Sequence, residues 1–139
     1  MDKPTIVYLP KNLCREMLQY AREQLPLEAC GILSADWEGR PLQFFPARNE
    51  LQSSTRYNVH PEDLLRILTL LEENKQEIWG VFHSHPESEA YPSKIDLDMA
   101  YYPQAYHLIA SFKVPQHPVL RGFVISEGKV KEIILILAE

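Results

Sequence analysis

The stretch WGVFHSHPESEAYPSKIDLDMA, Trp79 to Ala100, decides how this chain is interpreted. An apolar run ends in His83-Ser84-His85, and Ser93-Lys94-Ile95-Asp96 follows after seven residues bounded by two prolines. The apolar run is typical of a central strand that is covered on both faces of a sheet. Two interpretations are open at this point: a metal site with a catalytic serine beside it, or a strand end followed by a well-capped helix.

The two histidines favour the metal site. Residues two apart in a strand point to the same side, so His83 and His85 share one face at the carboxyl end of the predicted strand. Imidazole is a good zinc ligand, and a catalytic zinc usually has three protein ligands and one open position. Asp96, on the first turn of the following helix, is the candidate third ligand. His60, His107 and His117 stand alone, and we interpret them as structural or surface residues.

The spacing Ser93-x-x-Asp96 is also that of a capping box, with the serine at the N-cap and the aspartate at N3. Taken alone, helix capping is the commoner meaning of this spacing. The two interpretations are compatible, because a serine at a helix start can face a cleft. An aspartate on the first turn can likewise leave the box and bind a metal.

A carboxylate far away in the sequence adds to the pattern. In PLEACGIL, Glu28 stands directly before an apolar strand. Considered by itself, Glu28 is a solvated residue at a helix-to-strand junction. A zinc hydrolase, however, needs a carboxylate that is not a ligand to take a proton from the attacking water. Cys30 nearby could be a fourth ligand or a nucleophile, but a buried free cysteine is the commoner role of this residue type on a strand.

Together these residues resemble the signature of the JAMM (MPN+) metalloproteases. That signature is His-x-His, seven residues, then Ser-x-x-Asp, with an upstream Glu, and Glu28 and HSHPESEAYPSKID (His83 to Asp96) match all of it. The resemblance also covers the order of elements over nearly the whole chain. It implies a cytidine-deaminase-like α/β fold, in which helices pack against a mixed, curved β-sheet.

The resemblance further implies a role for each signature residue. One zinc ion would be held by His83, His85 and Asp96, with water in the fourth position. Glu28 would act as the general base and then deliver the proton to the leaving amine, while Ser93 would hydrogen-bond the oxyanion. The zinc deaminases require His-x-Glu with Pro-Cys-x-x-Cys, and the absence of that pattern argues against deamination of a base or nucleoside.

The expected substrate also follows from the resemblance. This chain looks like the stand-alone prokaryotic members, which are associated with small ubiquitin-like sulfur-carrier proteins ending in Gly-Gly. We therefore expect hydrolysis of an isopeptide or peptide bond just after such a tail. Two alternatives stay open: a zinc peptidase acting on cell-wall or phage-tail components, and a non-catalytic MPN-type scaffold. The polar stretch Asn49 to Arg56 is either an ordinary surface loop or a lid over the tail.

The length, net charge and cysteine content indicate the number of domains, the partners and the location to expect. The 139 residues predict a single domain over residues 1–139. A net charge of -5 argues against nucleic acid as a partner, because phosphate binding favours a basic surface. The start has no signal-peptide pattern and no apolar run is long enough to span a bilayer, so no membrane partner is expected. With only two cysteines, Cys14 and Cys30, the cytoplasm is the expected location.

Periodicity and turn residues predict the element order β-α-β-β-α-β-α-β-β-β. The second helix opens at Pro61, with an apolar stripe formed by Leu64, Ile67, Leu68 and Leu71. The third helix follows Ser93 and is expected to end near Pro103. A hairpin turning at Glu127-Gly128 closes the chain.

Overall fold

The computed structural model describes residues 5–100, 102 and 104–139. Its elements follow the predicted order. They are β1 (Ile6–Pro10), α1 (Lys11–Gln24), β2 (Cys30–Ala35), β3 (Pro41–Ala47), α2 (Pro61–Glu73), β4 (Glu77–His85), α3 (Lys94–Asp98), β5 (Tyr106–Ser111), β6 (Val119–Ser126) and β7 (Lys129–Ala138).

Seven strands of the described ranges form one mixed sheet in the order β1-β7-β6-β5-β4-β2-β3. The pairs β1/β7 and β4/β5 are parallel, and the other neighbouring strands are antiparallel. In the β6–β7 turn, Glu127 and Gly128 have φ angles of 53° and 75°. This is the left-handed conformation that such a tight turn requires. The predicted mixed sheet with a closing hairpin is thereby confirmed.

The helices cover both faces of the sheet. Ile32 and Leu33 are successive residues of β2, so their side chains point to opposite faces. Leu33 belongs to the core packed under α1, and Ile32 belongs to the core packed under α2. A third apolar cluster, around Ile109 and Phe123, is covered by the segment that contains α3. The centre of the sheet is therefore buried on both sides, as its apolar sequence predicts.

Two details of the helices differ from the prediction. Ile67 and Leu71 are buried on α2, but Leu68 is 37% exposed. The stripe is narrower than predicted, because successive residues of a helix point about 100° apart. Helix α3 ends at Asp98, whereas the predicted end near Pro103 lies outside the described residues.

The topology brings the amino end of β2 to the carboxyl end of β4. These two strands are antiparallel, with Cys30 opposite His83. Residues just before Cys30 therefore lie beside residues just after His83. The contact between the Ser84 N–H and the Ala29 carbonyl, at 3.0 Å, continues this register beyond the strand. Glu28 and His85 consequently meet at the same end of these two interior strands.

Candidate metal centre

Three side chains converge at the carboxyl end of β4. The Nε2 atoms of His83 and His85 lie 3.1 Å apart, and each lies 3.0 Å from Oδ2 of Asp96. The three side chains are 3%, 3% and 8% exposed. They form a compact triangle of two nitrogens and one carboxylate oxygen, and we call these three residues the triad.

The two imidazoles are held by different contacts. Nδ1 of His85 lies 2.7 Å from the carbonyl oxygen of Glu89, which can only accept, so Nδ1 carries the hydrogen. The ring of His83 stacks on Tyr57, with centroids 4.5 Å apart and an interplanar angle of 20°. Nδ1 of His83 is buried without a hydrogen-bond partner in the described part of the chain.

The capping box is present and supplies the third corner of the triad. Oγ of Ser93 accepts a hydrogen bond from the Asp96 N–H at 3.0 Å. Oδ2 of Asp96 accepts one from the Ser93 N–H at 2.9 Å. The same Oδ2 atom faces the two imidazoles, so Asp96 joins the triad without leaving the box. The two interpretations of this spacing are thus realised together in one geometry.

Burial and hydrogen bonding shift the pKa values within the triad. Burial opposes ionisation of Asp96, but the hydrogen bonds from His83 and His85 outweigh it and hold its pKa far below the usual range. Burial lowers the pKa of His83. For His85 burial has the same sign, but the contacts with Asp96 and the Glu89 carbonyl dominate and raise its pKa. Asp96 is therefore an anion at neutral pH.

The donor atoms of the triad fit a divalent cation such as zinc. Because Nδ1 of His85 carries a hydrogen, its Nε2 faces the Asp96 carboxylate favourably only when a positive charge lies between them, either a proton on the imidazole or a bound cation. Two imidazoles and one carboxylate form a donor set used by catalytic zinc. Tetrahedral ligands about 2.0–2.1 Å from zinc lie roughly 3.3 Å apart, within a few tenths of an ångström of the observed separations.

Glu28 lies beside the triad as a buried carboxylate. The residue is 3% exposed, and its Oε1 has no hydrogen-bond partner among residues 5–100, 102 and 104–139. Burial raises the pKa of Glu28 to about 8, while the charge of His85 lowers it and that of Asp96 raises it. The register of β2 and β4 places Glu28 opposite His85 of the triad. The interpretation of Glu28 as a solvated junction residue is therefore wrong.

The other candidates from the sequence lie outside the triad. Cys30 is a buried free cysteine, as predicted. Burial raises the pKa of its thiol to about 12. His60 caps α2, with Nδ1 accepting from the Glu62 N–H at 3.2 Å. His107 is buried in β5, and burial lowers its pKa to about 4, so it is neutral at pH 7. None of the three belongs to the triad: His60 caps a helix, and Cys30 and His107 are buried in strands.

The structure adds two residues that the sequence analysis did not single out. Tyr57 stacks on His83. In the sequence it is distinguished only as an aromatic residue directly after a polar loop. Asn49 was assigned to a surface loop, but it is only 8% exposed and is hydrogen bonded to Glu28. Its position next to the end of β3 was the only available hint. Both contacts depend on tertiary structure.

The chain matches a family of known proteins and several of its relatives. A family model described as prokaryotic homologs of the JAB domain matches residues 10–123. The chain is 30% identical over 128 residues to the CysO-cysteine peptidase of Mycobacterium tuberculosis, covering 91% of this chain and 88% of that protein. It is 33% identical over 101 residues to a desampylase of Haloferax volcanii, covering 68% and 73% of the two chains.

Solved structures share the fold. The solution structure of a Desulfitobacterium hafniense protein has a TM-score of 0.84 at 36% identity, covering 97% of this chain and 94% of that one. A JAB1/MPN domain protein from Archaeoglobus fulgidus has a TM-score of 0.58 at 17% identity, covering 98% and 99%. These likenesses confirm the mixed α/β fold. Of the helices in the described ranges, none has the length and apolar character needed to cross a bilayer.

Proposed function

Because this chain belongs to the prokaryotic homologs of the JAB domain, a family of JAMM-type peptidases, we propose that it is a zinc-dependent hydrolase. Its substrate would be a ubiquitin-like or sulfur-carrier protein, cleaved at the amide bond after a C-terminal Gly-Gly tail. The observation that carries the proposal is the convergence of three ligand atoms within 3.1 Å, next to a buried carboxylate without a partner.

In this proposal His83, His85 and Asp96 hold one zinc ion per chain. A bound zinc would polarise the scissile carbonyl and lower the pKa of a coordinated water to about 7. The hydrogen bond from Nδ1 of His85 to Glu89 presents the lone pair of Nε2 to the cation. The capping box keeps Oδ2 of Asp96 facing the same point.

Glu28 is the proposed general base and acid. Its side chain is buried, and its Oε1 makes no hydrogen bond within the described ranges. With a pKa of about 8 the carboxyl is largely protonated at pH 7 without metal; a cation held by the triad would lower this pKa, so that the carboxylate could accept a proton from the attacking water. As the carbon–nitrogen bond breaks, the water oxygen stays on the glycine carbonyl carbon. Glu28 then transfers the proton to the departing amine nitrogen and returns to its charged form.

Ser93 is the proposed donor to the oxyanion. A serine hydroxyl has one hydrogen to donate and two lone pairs to accept with. Oγ of Ser93 uses one lone pair for the Asp96 N–H, which leaves its hydrogen for a substrate oxygen. A positioned donor of this kind typically contributes a factor of about 100 to 1000 to turnover.

The substrate assignment rests on the relatives and on the chemistry of the tail. Two relatives are a CysO-cysteine peptidase and a desampylase, and we extend carrier or conjugate hydrolysis to this chain by analogy. Glycine has no side chain, so a Gly-Gly tail suits a narrow approach to the buried triad. The net charge of -5 argues against nucleic acid as a partner, because phosphate binding favours a basic surface. The free thiols of Cys14 and Cys30 favour a cytoplasmic location.

The test is a cleavage assay with defined metal content. A ubiquitin-like carrier ending in Gly-Gly, extended through an amide bond by a single amino acid, is incubated with zinc-loaded, chelated and zinc-restored protein. Mass spectrometry detects the carrier shortened by that amino acid and ending in Gly-Gly. We expect cleavage only with metal present, and none when Ala-Ala replaces Gly-Gly. Elemental analysis separates zinc from iron, which also binds two histidines and a carboxylate.

Glu28→Gln is the matched control, since it keeps the shape of the side chain and removes its charge. We expect it to retain zinc and to lose turnover by about 10²- to 10⁴-fold. Full turnover in this variant would remove Glu28 from the mechanism. No cleavage of any Gly-Gly extended substrate by zinc-containing protein would overturn the proposal. Cleavage of cell-wall or phage-tail peptides instead would favour the alternative peptidase, and absence of metal would favour a scaffold.

A further inference from the structure

The segment between β3 and α2 touches two sides of the metal centre. The carbonyl oxygen of Ser53 accepts a hydrogen bond from the Glu28 N–H at 2.8 Å. A few residues later, Tyr57 stacks on the imidazole of His83. The loop expected from sequence to be a lid or a plain surface segment is thus part of the wall of the site.

One side chain organises this loop. Nδ2 of Asn49 donates to the carbonyl oxygens of Glu28 at 3.1 Å, Arg56 at 3.0 Å and Ser53 at 3.4 Å. Its Oδ1 accepts from the N–H groups of Leu51 at 3.0 Å and Asn58 at 3.2 Å. We call Asn49 and these five backbone partners the Asn49 network.

Each backbone N–H and carbonyl group of Glu28 and Ala29 has a hydrogen-bond partner. The N–H of Glu28 binds Ser53, and its carbonyl binds Asn49. The N–H of Ala29 donates to Oγ of Ser84 at 2.8 Å, and its carbonyl accepts from the Ser84 N–H. Since Oε1 of Glu28 has no partner in the described ranges, these backbone contacts are what hold the main chain from which the carboxylate extends.

The two halves of this support come from different elements. Ser84 lies between His83 and His85 on β4, and its contacts with Ala29 tie the residue after Glu28 to the strand that carries both histidines. Asn49 ties the opposite side of Glu28 to the loop that carries Tyr57. Asn49 itself is 8% exposed, too deeply buried to make extensive contact with a carrier tail.

We propose that Asn49 is a positioning residue for the hydrolytic site, acting through Glu28 and Tyr57. Through the Asn49 network it keeps the Glu28 carboxylate and the Tyr57 ring in position beside the triad. This inference rests on the proposed function for its effect on turnover. Its effect on the backbone at Glu28 does not depend on that function.

The first test measures amide hydrogen exchange in metal-free protein. In Asn49→Ala we expect the Glu28 and Leu51 amides to exchange about tenfold or more faster, relative to the amides of β5. The Leu51 N–H loses its acceptor, and the Ser53 carbonyl that accepts from the Glu28 N–H is no longer held by Asn49. Asn49→Asp keeps the accepting oxygen and loses the donating amide. It should accelerate exchange at Glu28 while Leu51 stays protected, and it also serves if the alanine variant fails to fold.

The second test measures kcat and KM on the Gly-Gly extended carrier. Misplacement of a reacting group by about 1 Å can cost about 100-fold in rate, so we expect kcat of Asn49→Ala to fall about 10- to 100-fold. KM should change less than about threefold, since Asn49 is nearly inaccessible to substrate. Zinc content should stay that of the parent.

Glu50→Ala is the control in the same loop, because Glu50 is not part of the Asn49 network. Its side chain is exposed, and Oε1 accepts from Nδ2 of Asn58 at 2.7 Å. This variant should leave Glu28 exchange and kcat within about twofold of the parent. Unchanged Glu28 exchange in Asn49→Ala overturns the inference whether or not the parent is active. Faster exchange with unchanged kcat overturns the positioning role, whereas absence of turnover in the parent counts against the proposed function alone.

Discussion

Oδ2 of Asp96 accepts a hydrogen bond from its own helix start and also faces two imidazoles. A carboxylate oxygen has two lone-pair directions, so one can be used for the Ser93 N–H and the other for a cation. At the scale of single residues, helix capping and ligand placement are therefore one arrangement. The cap orients Asp96 before any metal binds.

Ser93 allows these two contributions to be separated. If Ser93 only caps α3, Ser93→Ala should lower the free energy of unfolding by about 1 kcal/mol and leave turnover nearly unchanged. If its hydroxyl also donates to the oxyanion, turnover should fall about 100-fold or more at the same modest loss of stability. We expect the second result. Urea unfolding and steady-state kinetics on the zinc-loaded protein measure the two quantities.

His60→Ala is the comparison for this prediction. His60 caps α2 by accepting from the Glu62 N–H, and it is not part of the triad. Removal of the His60 side chain should lower the free energy of unfolding by a similar amount and leave turnover unchanged. Equal effects of the two variants on turnover would mean that Ser93 acts as a cap only.

At the scale of elements, an ion pair joins the end of β3 to the start of α2. The carboxylate of Asp63 accepts from the Arg48 backbone N–H at 2.7 Å and from its guanidinium at 3.0 Å through both Nε and Nη2. These contacts lower the pKa of Asp63 from an ordinary value near 3.8 to about 2. They close the base of the loop that carries Asn49 and Tyr57.

This lowered pKa predicts a pH-dependent stability. Ionised Asp63 stabilises the folded state fully above about pH 4, and the contribution disappears as the pH falls toward 2. Asp63→Asn should therefore cost about 1 to 2 kcal/mol at pH 7, a range reduced for the solvent exposure of Arg48. The difference between parent and variant should shrink between pH 4 and pH 2. Urea unfolding at several pH values measures this difference.

Glu62→Gln is the matched variant for this measurement. Glu62 contacts the same guanidinium at 3.4 Å, but its side chain is 81% exposed. We expect a change below about 0.5 kcal/mol, as for most exposed ion pairs. A cost for Asp63→Asn that does not vary between pH 7 and pH 2 would contradict the ion-pair explanation.

At the scale of the whole molecule, the triad is attached to a sheet that has its own apolar cores. The strands β2, β4 and β5 that support the histidines are packed against helices on both faces. A chain of this size does not need a metal to fold. The site is therefore expected to exist before the cation arrives.

Removal of metal should lower stability and leave the fold intact. Chelated protein is expected to keep its far-ultraviolet circular dichroism and a single cooperative transition. Its Tm should drop by about 5 to 10 °C and recover with added zinc, because a ligand that binds only the folded state stabilises it by mass action. His85→Ala should abolish the zinc-dependent shift. Loss of cooperative unfolding on chelation would contradict the expectation of a preformed site.

The element order and the three residues of the triad could be predicted from local sequence patterns. Apolar runs, prolines and glycines specify local conformation through forces within a few residues. His83 and His85 belong to one strand, and Ser93 and Asp96 belong to one helix turn, so their relative geometry follows from local periodicity. The resemblance to JAMM metalloproteases then linked Glu28 to them.

Tertiary structure alone decided what surrounds these residues. The burial of Glu28, the stacking of Tyr57 on His83 and the Asn49 network all join segments far apart in sequence. Such contacts depend on which strands become neighbours, and a polar loop sequence does not encode that choice. Asparagine is a residue type that is mostly found at the surface. Asn49 is nevertheless buried, because its side-chain amide hydrogen bonds to backbone groups that would otherwise lack partners.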